Sequence, residues 1–417
     1  CNVSRMEEKI KTFSTFGDAG HGGITRFSLS DEDKMARKYF QERMEKIGAI
    51  VTVDDWGCMY ATLEGTDKTA KRIATGSHSD SVKNGGNYDG ILGIIGGMEV
   101  LETIVDQKIE HKHPITVMNW TNEEGSLYPP AMMVSGVLCH KYLPAQIAKN
   151  LEPEKMYVSK SRLNPEETFG AALEKSGYKG DVKNRINKED YLCMYELHIE
   201  QGPILEAAKN DVGVVTCVLG MFNYRIKTFG QSDHAGTTPM QYRRDALFAA
   251  AQAIQYLHTE IDKLQIHDLV YTTGEIKCHP CVHTVIPDEV DFSLDVRHES
   301  QEVLEKVRQI VLNIPKELAR CDVKTELMWE RNTVYFNKQL VEFVQEAANE
   351  LKISNQKINS GAGHDAQFCS YMMPTSMIFV QSKDGHSHCE QEFSTVEQCT
   401  NGASVLLNAI LKADKHM

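Results

Sequence analysis

Two short apolar runs, residues 72–76 and 115–119, flank a stretch in which Ile91, Ile94, Ile95, Met98, Leu101 and Val105 recur at helical spacing. Runs that short and that uniformly apolar are buried on both faces of a parallel sheet. Strand, loop, helix and strand make a βαβ unit, which commits the chain to an α/β architecture. Gly93, Gly96 and Gly97 lie inside the helix. Each costs about 1 kcal/mol relative to Ala in a helix interior, so their presence points to close packing of this helix on the sheet. In such units ligand-binding side chains sit just past the carboxyl ends of the strands. His78 follows the first run, in Gly76-Ser77-His78-Ser79-Asp80, and Glu123-Glu124 follows the second, in Thr121-Asn122-Glu123-Glu124-Gly125; Tyr88-Asp89-Gly90 stands between them.

The first α/β block is read as running from the N-terminus to about residue 210. Ser30-Asp31-Glu32-Asp33 reads as a helix start, residues 49–53 and 59–63 as short strands around a turn, and 148–190 as a polar insertion with one amphipathic helix near 165–176. From about Val212 the pattern changes to strand 223–230, helix 245–264, strand 268–276, strand 289–298, helix 302–314 and strand 323–329. That order, β-α-β-β-α-β, is the ferredoxin-like split unit. The economical reading is a catalytic α/β domain with a mixed sheet over residues 1–211 and 330–417, interrupted by a ferredoxin-like α+β domain at 212–329. The first domain resumes with a helix at 339–351, a strand at 376–380 and a closing helix at 396–411.

At 417 residues the chain is long enough for two or three domains. A formal net charge of −13 argues against a nucleic-acid partner, which needs a clustered basic surface. No apolar run reaches the roughly 18–20 residues that span a bilayer, and no basic-then-apolar signal segment is visible. Eleven cysteines without framework spacing read as reduced thiols in a cytoplasm. Cys278-His279-Pro280-Cys281 is a lone CxxC, read as unpaired thiols rather than as a zinc knuckle because no second pair accompanies it.

His78, Asp89, Glu124, His198 and His388 form one candidate set, since histidines and carboxylates around a bridging aspartate hold a pair of divalent cations in a hydrolytic site. Taken singly, each is more simply a satisfied strand-end polar residue. Asp80, two residues after His78, is placed to accept a hydrogen bond from the imidazole and fix its tautomer. Side chains of adjacent residues diverge near a strand end, so if Glu124 binds metal, Glu123 is free to move a proton from water to a leaving nitrogen. His234 lies in a small-residue loop, Ser232-Asp233-His234-Ala235-Gly236-Thr237-Thr238-Pro239. Arg297, at the end of the 289–298 strand, can grip a carboxylate with its fork of donors.

The segments GSHSDSVKNGGNYDG, TNEEGSLYPPAMMVSG, ELHIEQGPILE, DHAGTTPMQYRRDA, VIPDEVDFSLDVRH, SGAGHDA and DGHSHCEQE occur in that order over nearly the whole chain. In them the sequence resembles the N-carbamoyl-L-amino-acid hydrolase, β-ureidopropionase and allantoate amidohydrolase family, a branch of the dinuclear metallopeptidases related to carboxypeptidase and aminoacylase. The resemblance implies that Asp89 bridges two metals, that His78 and His198 complete one site, and that Glu124 and His388 complete the other. It implies Glu123 as general base and then acid, His234 as the residue that polarises the scissile carbonyl, and Gln201 and Arg297 as substrate contacts, with Arg297 on the substrate carboxylate. It also implies two divalent cations, zinc or manganese with cobalt or nickel as further options, a small-molecule substrate, and a homodimer whose second domain acts as a lid. Three positions depart from the family pattern. Thr284 replaces an Asn before Val-Ile-Pro, Leu127 replaces a common Arg, and His386 replaces an aliphatic residue. These bear on substrate identity and put the Thr284 contact in question. The expected reaction is hydrolysis of a linear, non-peptide C–N bond in a small ureido or amide carboxylate. The alternatives are a dipeptidase or N-acyl-amino-acid hydrolase of the same fold and, more remotely, a non-catalytic metal or small-molecule binding protein.

Overall fold

The computed structural model describes all residues, Cys1–Met417. The strands are β1 (Ile50–Val53), β2 (Met59–Leu63), β3 (Arg72–His78), β4 (Ile115–Trp120), β5 (Tyr191–Ile199), β6 (Val212–Val218), β7 (Gly220–Phe229), β8 (Val270–Thr272), β9 (Ile276–His279), β10 (Glu289–His298), β11 (Glu317–Leu318), β12 (Cys321–Arg331), β13 (Val334–Tyr335), β14 (Asn355–Ser360) and β15 (Thr375–Val380). They fall into a nine-stranded and a six-stranded sheet. The chain divides into two compact units, Cys1–Thr216 with Tyr335–Met417, and Cys217–Val334. No helix is long and apolar enough to cross a membrane.

The larger sheet runs β1-β2-β4-β3-β5-β15-β6-β13, with β14 beside β6. Its centre, β4, β3, β5 and β15, is parallel, while β1, β2 and β6 join antiparallel, so the mixed sheet expected from sequence is present. The central strands are buried along almost their whole length, as parallel strands covered on both faces must be. The helix Ile91–Gln107 lies on β3 and β5. A Cβ added at Gly93 would stand 2.5 Å from the Leu197 carbonyl oxygen and 2.6 Å from Ser77 Cβ, and one at Gly97 would stand 2.7 Å from Val117 Cγ1. Close approach therefore outweighs helix propensity at these positions. The closing helix Val396–His416 starts with a reciprocal cap between Thr395 and Gln398.

The second unit is the split βαβ arrangement. Its sheet runs β11-β12-β7-β10-β8, with β9 also on β10, and every pair is antiparallel. Alternate residues of β7 and β10 turn inward, and Phe222, Ile226, Phe292 and Leu294 pack with Leu257 and Val307 from the helices Ala246–Asp262 and Gln301–Leu312.

Several local expectations are corrected. The single strand expected at 268–276 is two, β8 and β9, which meet different parts of β10 and are separated around Gly274. The change of unit expected at residue 212 comes later, because β6 pairs with β15 and so belongs to the larger sheet. The sequence pattern does not predict the N-terminal helix Val3–Ser14. It carries Lys9, fully buried against Glu99 and Glu102, with Arg5 reaching Glu99 at 2.7 Å. Polar residues facing partners on another helix leave little trace in an apolar periodicity.

Candidate metal centre

Four parallel strands bring their carboxyl ends side by side, and the candidate ligands gather there. His78 is the last residue of β3, in register with Trp120 of β4. His198 is next to last in β5, opposite Phe379 of β15. Glu123 and Glu124 follow β4, and His388 lies on the segment after β15. Asp89 comes just before the helix Ile91–Gln107, whose first turn is entered through Gly90 at φ +65°. A Cβ at Gly90 would run into the His78 ring, so this left-handed position also makes room for the imidazole.

Asp89 sits at the middle of the set. One of its carboxylate oxygens lies 3.1 Å from His198 Nε2 and 3.9 Å from His78 Nε2, and the other lies 3.0 Å from His388 Nε2. Glu124 approaches His388 Nε2 at 3.6 Å, and Glu123 approaches His78 Nε2 at 3.6 Å. The donor atoms of His78, Asp89 and His198 lie within 4.8 Å of one another, as do those of Asp89, Glu124 and His388. The two groups share Asp89, which gives a two-site arrangement around one carboxylate.

Three features fit this set to divalent cations. His78 Nδ1 lies 2.9 Å from the Asp80 carbonyl oxygen and His198 Nδ1 lies 2.9 Å from the Ile199 carbonyl oxygen. A carbonyl only accepts, so each Nδ1 carries a proton, and Nε2 is the ring nitrogen turned toward Asp89. Glu124 Oε1 and Gln201 Oε1 are buried without a hydrogen-bond partner. Burial, reinforced by neighbouring carboxylates, pushes Glu123 and Glu124 well above the usual carboxylate range, and burial with the Asp33 charge pushes Asp80 to about 7. The donor set gathers several buried carboxylates, and a divalent cation would supply them with a partner.

The structure changes the expected contact of Asp80. Its carboxylate lies 3.8 Å from His78 Nδ1 and instead accepts the backbone N–H groups of Glu123 at 3.2 Å and Glu124 at 3.1 Å. The turn after β3 brings the Asp80 carbonyl to the imidazole, which frees the carboxylate to brace the Glu-Glu loop. Gln201, at φ +58°, donates from Nε2 to Asp89 at 2.9 Å.

Four residues to which sequence spacing assigns no role surround the candidate ligands. Glu392 accepts the backbone N–H groups of Tyr88 at 2.9 Å and Asp89 at 3.0 Å, and Ser387 donates to both Glu392 and Asp89. Glu196 accepts from Ser77 Oγ at 2.7 Å and the Ala366 N–H at 2.8 Å, and the His364 ring packs edge-on against His198 with centroids 4.5 Å apart. Glu196 lies two residues before His198 on the same strand face, a period that flags it in sequence. Glu392 closes the segment DGHSHCEQE, but nothing local marks its partner, since it reaches Asp89 across 303 positions.

His234, Thr284 and Arg297 belong to the second unit. His234 Nδ1 accepts the N–H groups of Gly236 at 2.9 Å and Thr237 at 3.2 Å, which leaves Nε2 to the exposed side. The Thr284 carbonyl accepts the Ala235 N–H at 2.8 Å. Arg297 Nε donates to Asp295 at 2.7 Å.

The model of peptidase family M20/M25/M40 matches residues 74–412. Among curated relatives, an N-carbamoyl-L-amino-acid amidohydrolase of Rhizobium meliloti is 35% identical over 99% of this chain and 96% of its own. An allantoate amidohydrolase of Bacillus subtilis (strain 168) is 33% identical over 98% of this chain and 97% of its own. Among solved structures, an amidase of the hydantoinase/carbamoylase family from Burkholderia multivorans superposes with a TM-score of 0.86 at 36% identity, covering 99% of this chain and 98% of that one.

Proposed function

Because the chain belongs to peptidase family M20/M25/M40, we propose that it is a metal-dependent amidohydrolase that cleaves a linear, non-peptide C–N bond in a small ureido carboxylate. The first substrates to consider are N-carbamoyl-L-amino acids, N-carbamoyl-β-alanine and allantoate, in keeping with the names of its full-length relatives. The observation that carries the reading is the Asp89 carboxylate divided between His198 and His388, with Glu123 and Glu124 beside it.

In this reading His78, His198, Asp89, Glu124 and His388 hold two divalent cations. When bound, such ions polarise a carbonyl and ease ionisation of water near neutral pH. Glu123 accepts the proton of the attacking water and returns it to the departing nitrogen, a task that suits a buried carboxyl whose proton affinity is raised. Asp80 holds the Glu123–Glu124 backbone, and Glu392, Ser387 and Gln201 hold Asp89. From the resemblance, His234 polarises the scissile carbonyl, Arg297 receives the substrate carboxylate, and Thr284 tunes the side-chain preference. The homodimer is part of the same proposal.

The test is ammonia release by manganese- or zinc-reconstituted protein across a panel of N-carbamoyl L- and D-amino acids, N-carbamoyl-β-alanine and allantoate. Release from one of these, with a free amino acid and carbon dioxide from an N-carbamoyl compound, is the expected result. Silence across the panel with metal bound, together with hydrolysis of a dipeptide or N-acyl amino acid, overturns the substrate class.

A further inference from the structure

All eleven cysteines are free thiols; seven are buried, three are half-buried, and Cys281 alone is exposed. Cys278 lies near the end of β9, paired with Val290, and Cys281 follows in a left-handed turn position at φ +58°; burial, with Cys281 nearby, raises the Cys278 thiol above its ordinary value. No cluster of three or more metal donors includes either sulfur, and His279 is engaged by Asp288 at 2.7 Å. The pair therefore lacks the four ligands of a structural zinc site. What remains is an exposed thiol three residues after a half-buried one, a spacing at which the second thiol can resolve a mixed disulfide formed on the first.

The turn is tied directly to the His234 segment. Its base is closed by the Asp288 N–H on the His279 carbonyl at 3.1 Å, and inside it the Val285 N–H donates to Val282 at 3.0 Å. The residues after Cys281 then pair with 233–235: Thr284 accepts from Ala235, Ile286 donates to Asp233 at 2.8 Å, and Val285 bridges to His234. A disulfide restricts its two Cα atoms to about 4.4–6.8 Å and sets the dihedral about the S–S bond. With the base of the turn anchored, a change at Cys281 passes to residues 282–286.

We propose that Cys278 and Cys281 form a reversible disulfide by exchange with a low-molecular-weight disulfide, and that its closure resets the pairing of residues 284–286 with 233–235. The Cys281 thiolate attacks one sulfur of the small disulfide and releases one thiol, leaving a mixed disulfide. The Cys278 thiolate then attacks the Cys281 sulfur and releases the second thiol. Two cysteine protons end on the two thiols released, and the two electrons given up by the protein sulfurs reduce the small disulfide.

The experiment equilibrates the full-length protein in oxidised and reduced glutathione, traps free thiols by alkylation, and maps peptides without reduction, with hydrogen exchange followed at the amides of Ala235 and Ile286. The expected result is a Cys278–Cys281 linked peptide that dithiothreitol reverses, a mixed disulfide stalled on Cys281 in C278S, and changed exchange at both amides on oxidation of the native protein but not of C281S. A glutathione adduct that persists on Cys281 in the native protein, or no modification there, overturns the exchange site. A linked peptide with unchanged exchange at Ala235 and Ile286 overturns the coupling.

Discussion

Glu123 and Glu124 are adjacent, of one residue type and both held by Asp80, yet one faces His78 and the other His388. Their substitution should separate two functions. Glu123→Gln is expected to lower kcat by roughly 10²–10⁴-fold, the usual share of a general acid–base, with metal content by elemental analysis nearly unchanged. Glu124→Gln is expected to lose metal first. Loss of metal and turnover together in Glu123→Gln would undo this division of labour. Glu392 acts one step further out, through the backbone of Asp89. Glu392→Ala should weaken metal binding by about 10–100-fold, as loss of a residue orienting a ligand commonly does, while Glu392→Gln, which keeps an acceptor oxygen for the Tyr88 and Asp89 amides, should recover most of it. Equal losses in both variants, measured by competition with a chelator, would mean that charge rather than positioning is its contribution.

Among elements, the helix Ile91–Gln107 shows packing overruling propensity. On a free helix Gly93→Ala would gain about 1 kcal/mol. Here the new methyl group meets the Leu197 carbonyl, part of a strand backbone that cannot yield. The substitution is expected to destabilise by about 1–3 kcal/mol, the cost of overpacking a filled interior, read as a lower urea midpoint; a rise would show that helix and sheet separate freely. This element was legible from sequence because its apolar spacing is regular and its glycines conflict with that spacing. β6 and β14 were not, because both lie at the side of the sheet where the chain returns after a long excursion, and their pairing joins residues over a hundred positions apart.

For the whole molecule, the centre and the N-terminal helix make separable contributions to stability. A cation that binds only the folded chain adds about 2.7 kcal/mol at a free concentration 100 times its dissociation constant, so a chelator should lower the melting temperature and added manganese or zinc should restore it. At the other end of the first unit, burial alone would raise Glu99, but its hydrogen bonds with Arg5 and Lys9 and their charges hold it down from 4.5 to about 2. A depressed carboxylate stabilises the fold above its unfolded value and loses that contribution as pH falls through its folded value. The stability tied to Glu99 is therefore present above about pH 4.5 and lost toward pH 2. Glu99→Gln should lower the urea midpoint at pH 7 and flatten its decline across that window, and an unchanged acid limb would remove Glu99 as the titrating group.

The sequence alone determined the α/β class, the βαβ unit and the split second domain, since burial imposes a period on apolar residues that survives without coordinates. It also singled out His78, Asp89, Glu123, Glu124, His198 and His388, because strand ends and turns leave chemically capable residues in recognisable company. Only the tertiary structure decided that Asp80 braces the glutamate loop and that Glu392 holds the Asp89 backbone from across the chain. A side chain's hydrogen-bond partner depends on where folded chain ends meet, and that meeting leaves no periodic mark on the residues involved.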